Sequence, residues 1–308
     1  MRVLVTGGSG FIGSWTAEAL VEAGHDVLVY DSFVTGRPDY LCGIGGVVRV
    51  VRGDVRHPLA LQRAVRRFGP DAIIHLAACV SVPLSLQRPL RSHDDNVRGT
   101  LAVLEAARAN DIRRVVLASS AAVYGRNCDV PLHEDAPLAP LSPYALHKRM
   151  DEDYARLYSD LYGLETVALR YFNVFGPRQD PASPYSGVIA RFCEAARMGR
   201  GVRITGDGAQ TRDFVYVADV ARANVAALTA DLQGHHVVNV ATGCETSLLE
   251  LRAAIEDVAG RPLPYVLEPP RKGDVTRSCA DVARLRDVLG LSCATHLRDG
   301  LSALLACE

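Results

Sequence analysis

Two residues four positions apart on a predicted helix could carry acid–base chemistry. Tyr144 and Lys148 lie near the start of the periodic stretch Pro143–Tyr162, so their side chains share one helix face. An ammonium group beside a phenol favours the phenolate, which can act as a general base. Ser119 and Ser120 end a predicted strand upstream, and a hydroxyl there could hydrogen-bond a reacting oxygen. In the context of the nucleotide loop described next, these residues form a candidate catalytic set.

A glycine-rich loop near the N-terminus has the residues needed to bind a dinucleotide. It follows the predicted strand Val3–Val5 and opens the predicted helix Phe11–Ala23. Gly7 permits a tight turn, Gly10 lets the backbone approach a pyrophosphate, and Gly13 lets helix and strand pack closely. The helix N-terminus adds free N–H groups and a positive dipole. The predicted cofactor contacts in this loop are Gly7, Gly10, Phe11, Ile12 and Gly13.

An acidic residue at the end of the second predicted strand supports the same interpretation. Asp31 stands where a carboxylate can accept hydrogen bonds from an adenosine ribose. It favours NAD over NADP, because a 2′-phosphate would meet its negative charge. Arg37 lies nearby in the sequence and leaves NADP open. The predicted cofactor is therefore NAD.

Strand and helix signals alternate through the first half of the chain. The predicted strands are Val3–Val5, Val27–Tyr30, Val47–Val51, Ala72–Ala78, Val115–Ser119 and Thr166–Arg170. The predicted helices are Phe11–Ala23, Leu59–Phe68, Val97–Ala109, Pro143–Tyr162, Val188–Arg197, Val217–Leu228 and Leu248–Val258. Continuous apolar strands separated by helices predict an α/β fold with a Rossmann-type doubly wound parallel sheet.

The pattern becomes irregular after Arg170, where prolines interrupt it repeatedly. We expect a smaller, irregular α/β C-terminal substrate lobe that grows out of the same sheet. The predicted division assigns residues 1–170, with a return segment near 214–240, to an NAD-binding Rossmann domain. Residues 171–213 and 241–308 form the substrate lobe.

Several of these motifs carry a family resemblance that covers nearly the whole chain. The Gly-x-x-Gly-x-x-Gly spacing resembles the short-chain dehydrogenase/reductase superfamily, and the stretch Ser119–Gly125 (SSAAVYG) resembles the extended, NAD-dependent epimerase/dehydratase family. The resemblance implies a catalytic set of Ser120, Tyr144 and Lys148, in which Ser120 rather than Ser119 is the catalytic serine. Ser119 would face the core. It also implies that Lys148 orients the cofactor ribose.

The same resemblance assigns two further segments to the cofactor site. It implies that Asp54 and Val55 contact the adenine, and that Leu76, Ala77 and Ala78 line the nicotinamide side. Two alternatives from the residues alone stay open. Asp54 could cap the helix that starts near Leu59, and the alanines could serve close packing between strands.

The substrate lobe carries three segments that resemble the nucleotide-sugar site of the family. The resemblance implies that Asn173, Arg212 and Arg271 hold a diphosphate, that Asp274 accepts a hydrogen bond from the ribose or uracil side, and that Val188 lines the uridine pocket. A planar guanidinium matches phosphate oxygens well. Taken singly, each arginine could equally be a solvated surface residue.

Two positions refine the implied reaction. Related 4,6-dehydratases carry an acidic pair after the serine, whereas this chain has Ala121 and Ala122, which cannot transfer protons. Ser278 takes the place of the residue that walls the C2 side of the sugar in related 4-epimerases, and its small side chain leaves room for an N-acetyl group. Ser278 could otherwise be an ordinary loop residue.

The resemblance therefore implies an NAD-dependent UDP-hexose 4-epimerase that accepts UDP-glucose and UDP-N-acetylglucosamine. Alternatives on the same scaffold are a UDP-glucuronate epimerase or decarboxylase, or a 4-ketoreductase. A non-enzyme alternative is an NAD-sensing regulator, which would have no need of Ser120, Tyr144 and Lys148. The resemblance also implies a homodimer formed by the helices after Asn96 and around Tyr144 to Tyr162. An apolar stripe at Val97, Leu101 and Leu104 is equally consistent with packing on the sheet.

Composition excludes several other classes of function. The 308 residues include 34 Lys plus Arg and 35 Asp plus Glu, a net charge of -1, and there is no long basic run for non-specific nucleic-acid binding. No uncharged apolar stretch is long enough to span a membrane, and we expect a chain that starts at Met1 in the cytoplasm. The eight cysteines form no C-x-x-C pair, and the histidine pattern predicts no metal site.

Overall fold

A computed structural model of the chain describes residues 1–180, 187–270 and 275–306. Its strands are β1 (Arg2–Thr6), β2 (Asp26–Asp31), β3 (Arg49–Arg52), β4 (Ala72–His75), β5 (Arg114–Ser120), β6 (Glu165–Tyr171), β7 (Asn173–Phe175), β8 (Val202–Thr205), β9 (Thr211–Arg212), β10 (Phe214–Tyr216), β11 (His235–Val240), β12 (Thr246–Ser247) and β13 (Tyr265–Glu268).

The helices alternate with these strands. They are α1 (Phe11–Glu22), α2 (Pro58–Phe68), α3 (Val82–Gln87), α4 (Pro89–His93), α5 (Gly99–Arg108), α6 (Pro143–Tyr162), α7 (Val188–Arg197), α8 (Val217–Thr229), α9 (Leu248–Ala259), α10 (Ala283–Leu289) and α11 (Leu297–Ala306). A π-helical turn at Asp94–Arg98 leads into α5. Within the described ranges, none of the helices has the length and apolarity needed to cross a membrane.

Seven parallel strands form the central sheet in the order β11-β6-β5-β4-β1-β2-β3. The order reverses at β1, which lies between β4 and β2, so the chain winds outward in both directions. The carboxyl ends of parallel strands meet at one edge of such a sheet, and ligands bind in the crevice beside them. The predicted α/β class and Rossmann-type sheet are confirmed.

Each face of the sheet is covered by its own apolar core. Val3 and Val5 of β1 pack with α1, α8 and α10, whereas Leu4 packs on the opposite face with α2 and α5. All three are fully buried. This alternation explains why the strand reads as a continuous apolar run: both sets of side chains leave water.

A third core lies in the C-terminal part of the chain. It joins α7, α9 and α11 to β8 and β10 and contains buried residues such as Phe192, Leu251 and Leu301. β11 returns to the central sheet beside β6, and α8 packs against α1. The predicted boundaries between the two domains stay predictions.

Some predicted element boundaries were wrong. The predicted strand Ala72–Ala78 ends at His75, where the chain turns away from the sheet, and the strand predicted to start at Val47 starts at Arg49. The predicted helix Val97–Ala109 begins with the π-helical turn and is α-helical only from Gly99. Periodicity alone did not indicate α10, α11 or the pairing of β8 with β13, because these segments are short.

Candidate active site

The loop between β1 and α1 is shaped by contacts that only glycine allows. Gly7 has φ of +70°, and a Cβ atom there would lie 2.7 Å from the backbone nitrogen of Ala77. A Cβ atom on Gly13 would lie 2.1 Å from the carbonyl oxygen of Gly7. Both distances are far below van der Waals contact, so the loop is closed tightly against the start of α1.

The same loop fits the pyrophosphate of a dinucleotide. No side chain caps α1, so the N–H groups of its first turn, at Phe11 and Ile12, remain available to an anion. The buried hydroxyl of Ser9 has no hydrogen-bond partner among the described residues, which is unusual for a buried polar group. Free donors and an unsatisfied hydroxyl at one helix N-terminus are what a bound phosphate would satisfy.

Asp31 lies at the carboxyl end of β2 and is oriented by two backbone N–H groups. Ser9 donates to Oδ2 at 2.9 Å, and Phe33 donates to Oδ1 at 2.8 Å. Each oxygen keeps further acceptor capacity for a ribose hydroxyl. The backbone N–H of Arg37 donates to the carbonyl of Ser9 at 2.9 Å, while its side chain lies over the Tyr40 ring. Through its backbone, Arg37 thus holds the loop between β1 and α1 beside Asp31.

The predicted adenine and nicotinamide segments flank this loop. Val55 is buried, and the carboxylate of Asp54 is held by the Arg56 guanidinium at 2.6 Å, which lowers the pKa of Asp54. Asp54 does not cap α2, whose N-cap is His57, so the capping alternative was wrong. Leu76, Ala77 and Ala78 follow β4 and are half-buried, and the N–H of Leu76 donates to the carbonyl of Thr6 at 3.0 Å.

The two serines at the end of β5 point to different environments. Ser119 is buried, and its hydroxyl donates to Glu152 Oε1 at 2.5 Å, as expected for the serine that faces the core. Ser120 is half-buried, and within the described part of the chain its hydroxyl accepts only the nearby N–H of Ala122, at 3.2 Å. Its own hydrogen is therefore left to donate to an oxygen at the sheet edge.

Glu152 links the serine pair to the neighbouring strand. Its carboxylate accepts two hydrogen bonds from Arg170, at 2.8 Å from Nε and 2.7 Å from Nη2, and both side chains are buried. The guanidinium also donates to the Tyr124 hydroxyl at 2.9 Å. This bidentate pair locks α6 against β5 and β6.

Tyr144 and Lys148 are both buried on the first turns of α6. Ser142 caps the helix by accepting the N–H of Ala145 at 3.2 Å, and Pro143 occupies its first position. Burial alone would lower the pKa of Lys148, but the charges of Asp151 and Tyr144 outweigh it and raise that pKa. Lys148 Nζ lies 3.1 Å from Asp151 Oδ2. The lysine is therefore a cation beside the tyrosine.

Polar residues connect this helix to the start of the cofactor loop. His75 Nδ1 lies 2.7 Å from the Thr6 hydroxyl, and His75 Nε2 lies 3.1 Å from the Thr100 hydroxyl. Burial lowers the pKa of His75 to about 3, with a smaller contribution from the Lys148 charge. His75 is thus a neutral imidazole that links Thr6 of β1 to Thr100 of α5.

Three predicted substrate residues gather around Asp213, which is buried between β9 and β10. The backbone and side-chain amides of Asn173 donate to the Asp213 carbonyl at 3.0 and 3.2 Å. Arg212 precedes Asp213, and Ser278 lies two residues before Ala280, whose N–H donates to Asp213 Oδ2 at 3.3 Å. Ser120 pairs in register with Tyr171, two residues before Asn173, so this group lies close to the end of β5.

The remaining substrate predictions are placed only in part. Val188 begins α7 and is half-buried. Arg271 and Asp274 lie outside the described residues. Burial raises the pKa of Asp213, while hydrogen bonds from Thr242, Ala280 and Gly243 act against that rise.

Comparison with known proteins identifies the family of this chain. The model of the NAD dependent epimerase/dehydratase family matches residues 3–241. The chain belongs to this family. A UDP-glucose 4-epimerase of Mycolicibacterium smegmatis is 41% identical over 305 residues, covering 98% of this chain and 96% of that protein.

Two solved structures of epimerases are similar along nearly the whole length. A UDP-N-acetylglucosamine 4-epimerase of Methanobrevibacter ruminantium, in complex with UDP-N-acetylmuramic acid, has a TM-score of 0.94 at 36% identity, covering 99% of this chain and 96% of that chain. A UDP-glucose 4-epimerase of Thermus thermophilus, in complex with NAD, has a TM-score of 0.91 at 37% identity, covering 99% and 98%. NAD is accordingly the cofactor of this epimerase/dehydratase family member.

Sequence reasoning missed three buried acids that organise this site in the epimerase/dehydratase fold: Asp151, Glu152 and Asp213. Asp151 and Glu152 lie on an amphipathic helix that is otherwise rich in surface charge. Asp213 directly precedes the apolar residues Phe214 and Val215. The partners of Glu152 and Asp213 are distant in sequence, and although Asp151 lies three residues from Lys148, its burial has no local signal.

Proposed function

We infer that this chain is an NAD-dependent UDP-hexose 4-epimerase, an isomerase that interconverts the C4 epimers of UDP-sugars. The observation that carries this is that α6, which bears Tyr144 and Lys148, packs against β5 and the turn that follows Ser120, with Ala121 and Ala122 where a dehydratase would need acids. The full-length similarity to epimerases supports the same reaction.

The residues of the chain divide the proton chemistry between them. Tyr144 takes the proton of the sugar 4-hydroxyl and later returns it, and Ser120 donates a hydrogen bond to the same oxygen. Lys148 stabilises the phenolate and orients the cofactor ribose. Bound NAD would supply the hydride acceptor and donor for C4 of the sugar. Because the cofactor ends each cycle unchanged, tight retention by Gly7, Gly13 and Asp31 is expected.

The substrate is held away from the reacting carbon. We propose that Asn173 and Arg212 bind the diphosphate, that Val188 lines the uridine pocket, and that Arg271 and Asp274 add contacts predicted from the sequence. Because the diphosphate stays bound, the oxidised sugar can rotate and present its other face to the cofactor without leaving the site. Arg212 suits this because its cationic fork matches phosphate oxygens.

The size of one side chain bears on the choice of sugar. Ser278 is half-buried next to the Asp213 group, and its hydroxymethyl side chain is too small to fill the C2 side of a hexose. We therefore propose that the enzyme accepts UDP-N-acetylglucosamine as well as UDP-glucose.

Product analysis with UDP-glucose, UDP-N-acetylglucosamine and UDP-glucuronate, side by side and without added cofactor, tests the proposal. An epimerase converts at least one of the first two sugars into its C4 epimer. A 4-ketoreductase would need a stoichiometric reductant, and a decarboxylase would release carbon dioxide from the uronic acid. Either of those outcomes, without epimer formation, would overturn the assignment.

We also propose a cytoplasmic homodimer. α6 carries exposed apolar side chains at Leu146, Leu157 and Leu161, and α3 and α4 add Leu86 and Leu90. Large exposed apolar side chains on neighbouring helices support a contact between subunits. Of the predicted stripe, Val97 and Leu104 are buried within the chain, so they would not form that contact.

A further inference from the structure

Asp151 is a buried carboxylate whose position is hard to explain by packing. It has no exposed surface, and its Oδ2 lies 3.1 Å from Lys148 Nζ. The Thr100 hydroxyl is close enough to lower the pKa of the Asp151 carboxyl, and it also lies 3.1 Å from His75 Nε2. By distance and angle, Asp151 Oδ1 has no hydrogen-bond partner among the described residues. Removing a carboxylate from water is costly, so an apolar residue would suit this core position better.

Comparison of the charged groups near Lys148 identifies Asp151 as its counter-ion. His75 is neutral, and the carboxylate of Glu152 is already held by Arg170 and Ser119. Asp151 is hydrogen-bonded to Lys148, whereas Glu152, which also raises the pKa of Lys148, has its charge balanced by Arg170.

We propose that Asp151 is a positioning residue that balances the charge of the Lys148 ammonium while Tyr144 carries the proton taken from the substrate. This inference rests on the proposed function, because it concerns the same tyrosine and lysine.

The proton balance of the reaction shows why such a charge is needed. The O–H bond of the sugar hydroxyl breaks as the O–H bond of Tyr144 forms. The reverse transfer later re-forms the sugar O–H bond and returns Tyr144 to the phenolate. While Tyr144 is a phenolate, it neutralises Lys148. Once Tyr144 becomes a phenol, Lys148 would be an uncompensated buried cation without Asp151. The charge of Asp151 thus stabilises the phenol state and makes Tyr144 a stronger base.

The titration of Asp151 gives this role a pH signature. Burial raises the pKa of Asp151 to about 6, while the Lys148 ammonium acts in the opposite direction. Below that pH the carboxylate takes up a proton and its charge is lost. The wild-type rate should then fall with two protonations on the acid side, one at Tyr144 and one at Asp151.

Other titratable groups near the pair do not give the same signature. The groups that face it are His75 from β4, His147 and Glu152 from α6, Arg170 from β6 and His93 from α4. Burial lowers the pKa of His147 and of His75, so each imidazole gains its positive charge only in more acidic solution. Both histidines are unchanged in Asp151→Asn, so the difference between that variant and the wild type isolates Asp151. Arg170 and Glu152 compensate each other.

The test compares Asp151→Asn with the wild type and with Asp153→Asn. The asparagine keeps the size of the side chain and removes the charge. Asp153 is an exposed acid on the same helix, paired with Arg156 at 3.0 Å, and is the matched control. Two readouts are needed: kcat against pH, and the near-ultraviolet absorbance of tyrosinate in the NAD-bound protein, taken as the difference from the same protein carrying Tyr144→Phe.

For Asp151→Asn we expect the tyrosinate titration to move to lower pH by about one unit, since a nearby buried charge is removed. Maximal kcat should fall about tenfold because Tyr144 is a weaker base, and the Asp151 protonation should disappear from the acid side. Asp153→Asn should change neither readout.

An unchanged tyrosinate titration in Asp151→Asn would overturn the proposal. If that variant does not fold, Asp151→Ser replaces it. If neither folds, the wild-type profile decides, and a single protonation on the acid side counts against Asp151. A wild-type protein that epimerises no UDP-sugar would refute the proposed function, yet the tyrosinate titration would still test Asp151 on its own.

Discussion

Replacing Arg170 by methionine should lower the free energy of unfolding by about 3–5 kcal/mol. The Arg170 and Glu152 side chains are 4% and 6% exposed and are joined by hydrogen bonds of 2.8 and 2.7 Å. Methionine has a similar volume but leaves the Glu152 carboxylate buried without its cation. The donation from Arg170 to the Tyr124 hydroxyl is lost as well.

A second variant separates the charge effect from simple loss of packing. Replacing both partners, Arg170→Met with Glu152→Leu, removes the uncompensated charge and should recover part of the lost stability. Arg156→Met is the surface control, because its partner Asp153 is exposed and such pairs contribute about 1 kcal/mol or less.

Urea denaturation at a fixed saturating NAD concentration measures all these variants. We also expect Arg170→Met to reduce kcat, since Glu152 holds Ser119 beside the catalytic Ser120. A loss of less than about 1 kcal/mol for Arg170→Met, equal to that of the surface control, would refute the reasoning that this pair is a buried, mutually dependent unit.

Two further substitutions probe the cofactor loop and the sugar pocket. Gly13→Ala places a Cβ atom 2.1 Å from the Gly7 carbonyl oxygen and should weaken NAD retention by at least about tenfold. Gly46→Ala is the control, because a Cβ atom there meets no atom within 4 Å. Equal NAD content in both proteins would contradict this prediction. Ser278→Tyr should depress turnover of UDP-N-acetylglucosamine more than that of UDP-glucose, and equal losses for both sugars in a coupled assay would rule out the pocket role of Ser278.

The central sheet was predictable because its strands and helices follow simple rules of periodicity. Val3–Val5 and Pro143–Tyr162 are long or apolar enough that local pattern and tertiary structure agree. The strand ending at His75 was predicted too long, since Leu76 to Ala78 are apolar for a different reason: they lie against the glycine loop. Apolar composition cannot distinguish a strand from a buried turn.

The candidate site was predictable where a residue's neighbours in sequence define its role. Tyr144 and Lys148 are four residues apart on one helix, and Gly7 to Gly13 span one junction between a strand and a helix, so spacing and local context together indicate their chemistry. Asp213 acts through partners that only the fold brings near, such as Thr242 and Ala280, whereas Asp151 lies three residues from Lys148 on the same helix. The charge of Asp151 could be read from the sequence, but its burial could not.

One isotope measurement tests the central claim that this chain oxidises and reduces the same carbon of one sugar. The protein is incubated with UDP-glucose deuterated at C4, and the UDP-galactose formed is examined for the label. The account predicts that the product keeps its deuterium and that Tyr144→Phe, with NAD still bound, forms almost no product. Loss of the label to solvent, or undiminished turnover by Tyr144→Phe, would contradict it.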